Sequence, residues 1–163
     1  MNNSNANQKV TDCLAELSQL QQMTSVLGPF SNIVPYLTKY SVIKSCGTFE
    51  SCFKTILADY ASINQTQQLK SFIDSTLRNN SMNPSFSNIH QILKRFDMNW
   101  NKQFKQILKN HSDIKRIKTS IQSLNAARNN FAHGGNPTVS LSDVQNYFND
   151  AIIIINILDN IVV

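Results

Sequence analysis

Glycine and proline are scarce in this sequence, with four of each in 163 residues. Because both residues interrupt regular structure, their scarcity argues against many short strands joined by turns and favours long helices. Hydrophobic residues make up 41% of the chain, which is close to average for a globular protein. A chain of this length can bury a core of its own. We therefore expect a single all-α domain.

Cysteine is scarce too. Cys13, Cys46 and Cys52 are odd in number and widely spaced, so they match neither a zinc site nor a disulfide framework. We expect them to be buried, reduced thiols in a cytoplasmic protein.

A membrane span and a signal peptide are also missing. No uninterrupted apolar stretch approaches the roughly 18 residues that a membrane-spanning helix needs. Residues 1–8 are polar and contain no apolar core of a signal peptide, so we expect a disordered tail there. The folded domain is then expected to span residues 9–163, with no membrane partner.

Motifs for metals and nucleotides are absent as well. His90, His111 and His133 are far apart in the chain, and neither HExxH nor CxxC occurs. The phosphate-binding patterns GxxxxGK[ST] and GxGxxG are missing too. We expect no metal site and no cofactor.

What the chain does contain is apolar residues at helical spacing, which predict a bundle of about five to six helices. Residues 79–85 are rich in turn formers and predict the clearest loop. Ser140 and Asp143 have the spacing of a capping box, which predicts the start of the last helix. The isoleucines at 152–155 favour a strand, but the cap and the long helical period decide for a helix.

Positive charge is concentrated in one segment. Between Lys94 and Lys118, eight basic and two acidic residues leave a balance of +6, whereas seven basic and eight acidic residues elsewhere leave −1. Such a segment is either a solvated face or a contact for a polyanion, and both interpretations stay open here. Its candidate contact residues are Lys102, Lys105, Lys109, Lys115, Arg116 and Lys118.

The most informative stretch is RNNFAHGG, residues 128–135. A helix runs into it, and Gly134, Gly135 and Pro137 are expected to end that helix. Arg128 and His133 are five residues apart, which places them about 140° apart around an ideal helix. They meet only if the last turn opens at His133, if the Arg128 side chain curls round, or if a second copy shares the site.

This stretch resembles the signature of the HEPN superfamily, which is often written RNxxAHG. In that signature an arginine and a polar residue are followed, a few positions later, by a histidine at the end of a helix. The long helix that carries Glu50 is similar to the family's second helix. The segment LKRF, residues 93–96, and the capped last helix with Tyr147 are similar to the branch found in prokaryotic defence and toxin proteins, the RiboL-PSP-HEPN-like ribonucleases. The resemblance covers most of residues 36–163.

The resemblance implies an HEPN-type helical bundle that forms a homodimer in which two sets of Arg128 and His133 face each other. It implies a metal-independent endoribonuclease that leaves a 2′,3′-cyclic phosphate, acting as a toxin or antiviral defence component with a possible antitoxin or defence-system partner. Asn129 matches the polar position after the arginine, and Glu50 is a candidate for an acidic residue that some members place nearby. The basic segment then becomes a candidate RNA contact.

The chemistry of these residue types suits RNA cleavage. Histidine titrates near neutrality and can accept or donate a proton, while arginine offers a charged planar fork to phosphate oxygens. Other roles stay open: Arg128 could cap its helix or pair with Glu50 or Asp159, and His133 could be a capping residue only. The chain would then be a catalytically silent helical module that binds protein or RNA. Trp100, spaced with Phe96 and Phe104, is expected in the core.

Overall fold

Helices account for all the regular structure that the computed structural model contains in residues 1–28, 31–136 and 138–162, the part of the chain that it describes. The prediction of an all-α fold is confirmed, but this part holds seven helices instead of five to six. Pro137, one of the expected helix stops, lies outside the described residues, and so does Pro29. The seven helices are α1 (Ser4–Leu27), α2 (Val34–Ala61), α3 (Gln67–Ile73, continued by a π-helical turn at Asp74–Arg78), α4 (Phe86–Phe96), α5 (Met98–Asn110), α6 (Ile114–Ala132) and α7 (Leu141–Ile161).

The core lies between α2 and the helices packed around it. α1, α6 and α7 pack against α2, while α5 packs against α4 and α7. The largest fully buried side chains include Phe49 and Phe53 of α2, Phe104 of α5 and Phe148 of α7. Trp100 is buried as expected, and so are all three cysteines. The loop before α4 and the exit of α6 lie together at one end of this bundle.

The N terminus differs from the expected disordered tail over residues 1–8. α1 begins at Ser4, and the Asn3 side chain caps it by accepting a hydrogen bond from the Ala6 N–H at 2.8 Å. The Asn3 N–H donates to the buried carboxylate of Asp159 at 2.9 Å. A buried carboxylate needs such donors, so the polar residues that suggested disorder are ordered by a partner far along the chain.

α4 and α5 are two helices although only one residue separates them. Asp97 has an extended backbone, with φ −153° and ψ 124°, and its carboxylate accepts hydrogen bonds from the N–H groups of Asn99 and Trp100. A single aspartate therefore ends one helix and caps the next.

The last helix forms as predicted. Ser140 and Asp143 make a full capping box, with the Ser140 hydroxyl accepting from the Asp143 N–H at 3.1 Å and the Asp143 carboxylate accepting from the Ser140 N–H at 2.8 Å. The isoleucine run is helical, and Ile154 and Ile155 are fully buried. Packing of these side chains in the core overrides their strand propensity.

Candidate functional site

The exit of α6 is built as the double glycine predicts. His133 is the C-cap, and its N–H donates to the Asn129 carbonyl at 3.1 Å. Gly134 follows with φ +82°, a left-handed conformation that glycine adopts without strain, and its N–H donates to the Phe131 carbonyl at 3.0 Å. The helix thus ends abruptly with the His133 side chain exposed to solvent.

Arg128 lies on a different face of α6. It continues the buried stripe of Ile121 and Leu124 toward α2 and is half-buried. Burial raises the pKa of the Cys46 thiol on α2 to about 11, against an opposing influence of the nearby Arg128 charge. Since α6 is helical through Ala132, the five-residue spacing keeps Arg128 and His133 on separate faces within one chain.

Asn129 connects these residues to the rest of the molecule. Its side-chain oxygen accepts two hydrogen bonds, from Arg128 Nη1 at 3.2 Å and from the side-chain amide of Asn83 at 3.2 Å. Asn83 belongs to the loop of residues 79–85. The guanidinium is therefore oriented by Asn129, which is itself held from the other side by a loop.

Glu50 lies close to this arrangement, but it is bonded to the same loop. Its carboxylate accepts a hydrogen bond from the Met82 N–H at 2.7 Å and forms an ion pair with Lys54, one turn further along α2. Lys54 is buried and also donates to the Asn80 carbonyl. Glu50 and Lys54 thus fix the loop that carries Asn83.

Two alternatives for Arg128 can be compared with these contacts. Among the ion pairs of residues 1–28, 31–136 and 138–162, Arg128 pairs with neither Glu50 nor Asp159. Glu50 bonds Lys54, and Asp159 accepts from the N terminus. Both carboxylates are therefore used in holding other segments.

Three contributors at this end of the bundle are not evident from the sequence. Asn83 acts on Arg128 through Asn129, and Lys54 acts through the loop that carries Asn83. The only signal in the sequence is the spacing of Glu50 and Lys54 by one helical turn, which is typical of an ion pair. Lys39 of α2 is the third: its ammonium lies 5.4 Å from the centre of the Phe131 ring and 5.6 Å from that of Tyr36. This contact joins the last turn of α6 to the start of α2. An open cleft of about 880 Å³ lies beside it, lined by residues of 32–39 and 136–141.

The basic segment divides into two kinds of residue. Lys102, Lys105, Lys109, Lys115 and Lys118 are exposed. Arg116 instead forms ion pairs with Asp150, which is only 2% exposed, and with Asp113 at 3.4 Å. Arg116 thus neutralises a buried carboxylate of α7, whereas the five lysines present their charge to solvent.

Two further features of the described part of the chain bear on the site. No helix there is long and apolar enough to cross a membrane. No group of three or more His, Cys, Asp or Glu side chains there is arranged to hold a metal ion.

The sequence of the whole domain matches one protein family. The family model for RiboL-PSP-HEPN matches residues 5–163, and the chain therefore belongs to this family. No curated protein and no solved structure matches the chain. HEPN domains are commonly ribonucleases and often form dimers.

Proposed function

We propose that this protein is a metal-independent endoribonuclease whose active residues are Arg128 and His133. The observation that carries the proposal is the exit of α6, where an exposed histidine ends the helix and an arginine one turn earlier is held by Asn129. Membership in a family whose domains are commonly ribonucleases supports it. A role as a toxin or defence component, with an antitoxin or another partner, rests on the family resemblance alone.

The reaction needs a proton acceptor, a proton donor and charge stabilisation. A base removes the proton of the 2′-OH, and this oxygen then attacks the adjacent phosphorus. The bond to the 5′-oxygen breaks, and an acid protonates that leaving oxygen, so that a 2′,3′-cyclic phosphate and a 5′-OH are formed. His133 can perform either proton step, because an imidazole can accept or donate a proton. Arg128 is the donor for the negatively charged phosphate oxygens, and Asn129 positions it.

A second copy of the chain would complete this site. One histidine per chain cannot hold and lack a proton at the same time, so two His133 side chains can divide the acid and base roles between them. The surface beside the exit of α6 is suited to a copy of this chain because it exposes Ile33 and Tyr36, with Tyr36 69% accessible. Exposed aromatic residues next to a functional site are typical of interfaces.

The products and the metal dependence test the reaction. We expect RNA to be cleaved in excess EDTA and the 5′ fragments to end in a 2′,3′-cyclic phosphate, because the attacking nucleophile is the 2′-OH. Mass spectrometry of the fragments measures this, and RNA with a 2′-deoxy sugar at the cleaved position is the control that must stay intact. Cleavage that stops in EDTA and returns with a divalent ion would contradict the proposed mechanism.

Mixing subunits tests the shared site. When wild-type protein exchanges subunits with an equal amount of His133→Ala protein, about half of the dimers are mixed and about a quarter are fully wild-type. If both histidines are required, cleavage should fall to about a quarter of that of the same total amount of wild-type protein. A fall to only about one half would show that each chain works alone.

A catalytically silent helical module is the second candidate function. The observation in its favour is that Arg128 is half-buried and lies on a different face of α6 from the exposed His133. Such a module would bind RNA or a protein partner without cutting RNA. RNA that is bound yet stays intact under all the conditions above would decide for it.

A further inference from the structure

An apolar cavity of about 410 Å³ lies between α3 and α4, next to the end of α2. Most of the side chains that line it are aliphatic or aromatic, and a few are polar. The apolar lining includes Leu69, Phe72, Leu77, Met82, Ile92 and Phe96. A volume of this size with a mostly apolar lining is typical of a binding site.

Part of this apolar lining is exposed to solvent. Phe72 is 62% exposed, and Leu69 and Phe96 are each 41% exposed. The reason lies in the packing: α3 packs against its own π-helical turn and this turn against α2, whereas α4 packs against α5. The sides of α3 and α4 that line the cavity are therefore left uncovered by the described part of the chain. Large apolar side chains exposed around one cavity are typical of an interaction surface.

The walls of the cavity are held in place by contacts to α2. Asn80 and Met82 line the cavity. The Asn80 carbonyl accepts a hydrogen bond from Lys54, and the Met82 N–H donates to Glu50 at 2.7 Å. On the opposite wall, Arg78 of the π-helical turn pairs with a carboxylate of α2. A cavity whose walls are fixed in this way loses little conformational freedom when it is occupied.

A positive charge lies at the same cavity. Arg95 lines it and is exposed, and it forms no ion pair within residues 1–28, 31–136 and 138–162. The planar guanidinium can pair with a carboxylate through two parallel hydrogen bonds. The occupant that suits this surface therefore combines apolar side chains with a negative charge.

A protein segment from a different molecule meets both requirements best. Each of the ten Asp and Glu side chains of this chain already accepts a hydrogen bond or an ion pair within the chain, so a second copy has no carboxylate to spare for Arg95. RNA carries negative charge, but its sugars and phosphates would lose water in an aliphatic cavity and gain few hydrogen bonds in return. A peptide can instead place an apolar side chain in the cavity and a carboxylate at its edge.

We propose that the cavity between α3 and α4 is the docking site for an apolar, acidic segment of a partner protein, with an apolar side chain beside Phe72 and a carboxylate bonded to Arg95. Neither Arg128 nor His133 lines this cavity, so the docking site is separate from the proposed active site. The inference therefore stands whether or not the protein cleaves RNA.

The test begins with a phage library of random peptides of about 16 residues, which can form about four helical turns. The library is selected on wild-type protein in the presence of free Phe72→Ala protein, which removes peptides that bind elsewhere. The enriched peptides should carry Asp or Glu beside large apolar residues. In fluorescence anisotropy, a synthetic peptide of this kind should bind Arg95→Glu protein about tenfold more weakly than wild type. Replacing the acidic residue of the peptide by Lys should restore its affinity for Arg95→Glu protein.

Lys9→Glu is the matched control, because Lys9 is an exposed cation of α1 that does not line the cavity. Peptide affinity should stay at the wild-type value in this variant. The docking site is wrong if no peptide is enriched, or if the enriched peptides bind Arg95→Glu protein as tightly as Lys9→Glu protein.

Two further measurements detect the other occupants. Phe72→Ala protein should sediment like wild type, and a smaller species would show that a second copy covers the cavity. The same variant should bind an uncleavable 2′-O-methyl RNA as tightly as wild type, and about tenfold weaker binding would show that this surface contacts RNA. Either result would overturn the proposal. Because none of these measurements uses RNA cleavage, a failure of the docking site is distinguishable from a failure of the proposed ribonuclease function.

Discussion

His133→Ala is expected to reduce RNA cleavage by about 10²- to 10⁴-fold, the range that a positioned acid or base contributes. The fold should be unaffected, because the side chain is exposed and the C-cap bonds of this residue come from its backbone. Initial rates on a fluorescent RNA measure the effect, and the far-UV circular dichroism and the melting temperature check the fold.

The matched control is His111→Ala, which removes a histidine at the opposite end of α6. This ring accepts a hydrogen bond from the Asp113 N–H at 3.1 Å and has no place in the proposed site. We expect it to retain the wild-type cleavage rate. A folded His133→Ala protein with full activity would remove His133 from the mechanism and leave the binding module as the better description.

The arrangement that makes His133 a candidate could be predicted from the sequence because it is local. The two glycines of residues 134–135 predict the end of the helix, and the structure places the C-cap at His133 with Gly134 in the left-handed conformation. The capping box of Ser140 and Asp143 can be predicted from the sequence for the same reason, since it depends on two residues three positions apart.

The surroundings of Arg128 could not be predicted in the same way, because they depend on contacts between distant parts of the chain. Asn83 reaches Asn129 across 46 residues, and Glu50 reaches the backbone of Met82 across 32. A backbone N–H that any residue could supply leaves no signature in the sequence. The ion pair of Arg116 could not be predicted for the same reason. In the sequence its charge makes Arg116 a candidate RNA contact, but its partner Asp150 lies 34 residues away on α7.

These distant contacts form one connected support for the proposed site. Lys54 bonds both Glu50 and the Asn80 carbonyl, and Glu50 bonds the Met82 N–H. The loop held in this way carries Asn83, whose amide bonds the same oxygen of Asn129 that receives Arg128 Nη1. Glu50 thus helps to hold this loop, and its place among the catalytic residues stays a prediction.

Lys54→Met is expected to lower the free energy of unfolding by about 3 kcal/mol, near the low end for removing one partner of a buried ion pair. The Lys54 side chain is only 5% exposed, and its loss removes the ion-pair partner of the Glu50 carboxylate and the donor to the Asn80 carbonyl. Urea unfolding followed by circular dichroism measures the change. Methionine fills a similar volume, so the expected cost is mainly electrostatic. This cost should exceed that of most single substitutions, because it leaves buried polar groups without a partner.

Lys44→Met is the matched control, since Lys44 is also a lysine of α2 that pairs with a glutamate, in this case Glu16. That pair is solvent-accessible, with side-chain exposures of 34% and 29%, so its removal should cost less than about 1 kcal/mol. Adding Glu50→Gln to Lys54→Met removes the uncompensated charge and should recover part of the lost stability, because the two sites are in contact and their effects are not additive. If Lys54→Met unfolds at the same urea concentration as Lys44→Met, the ion pair of Lys54 with Glu50 does not hold the loop, and the orientation of Arg128 must depend on Asn129 alone.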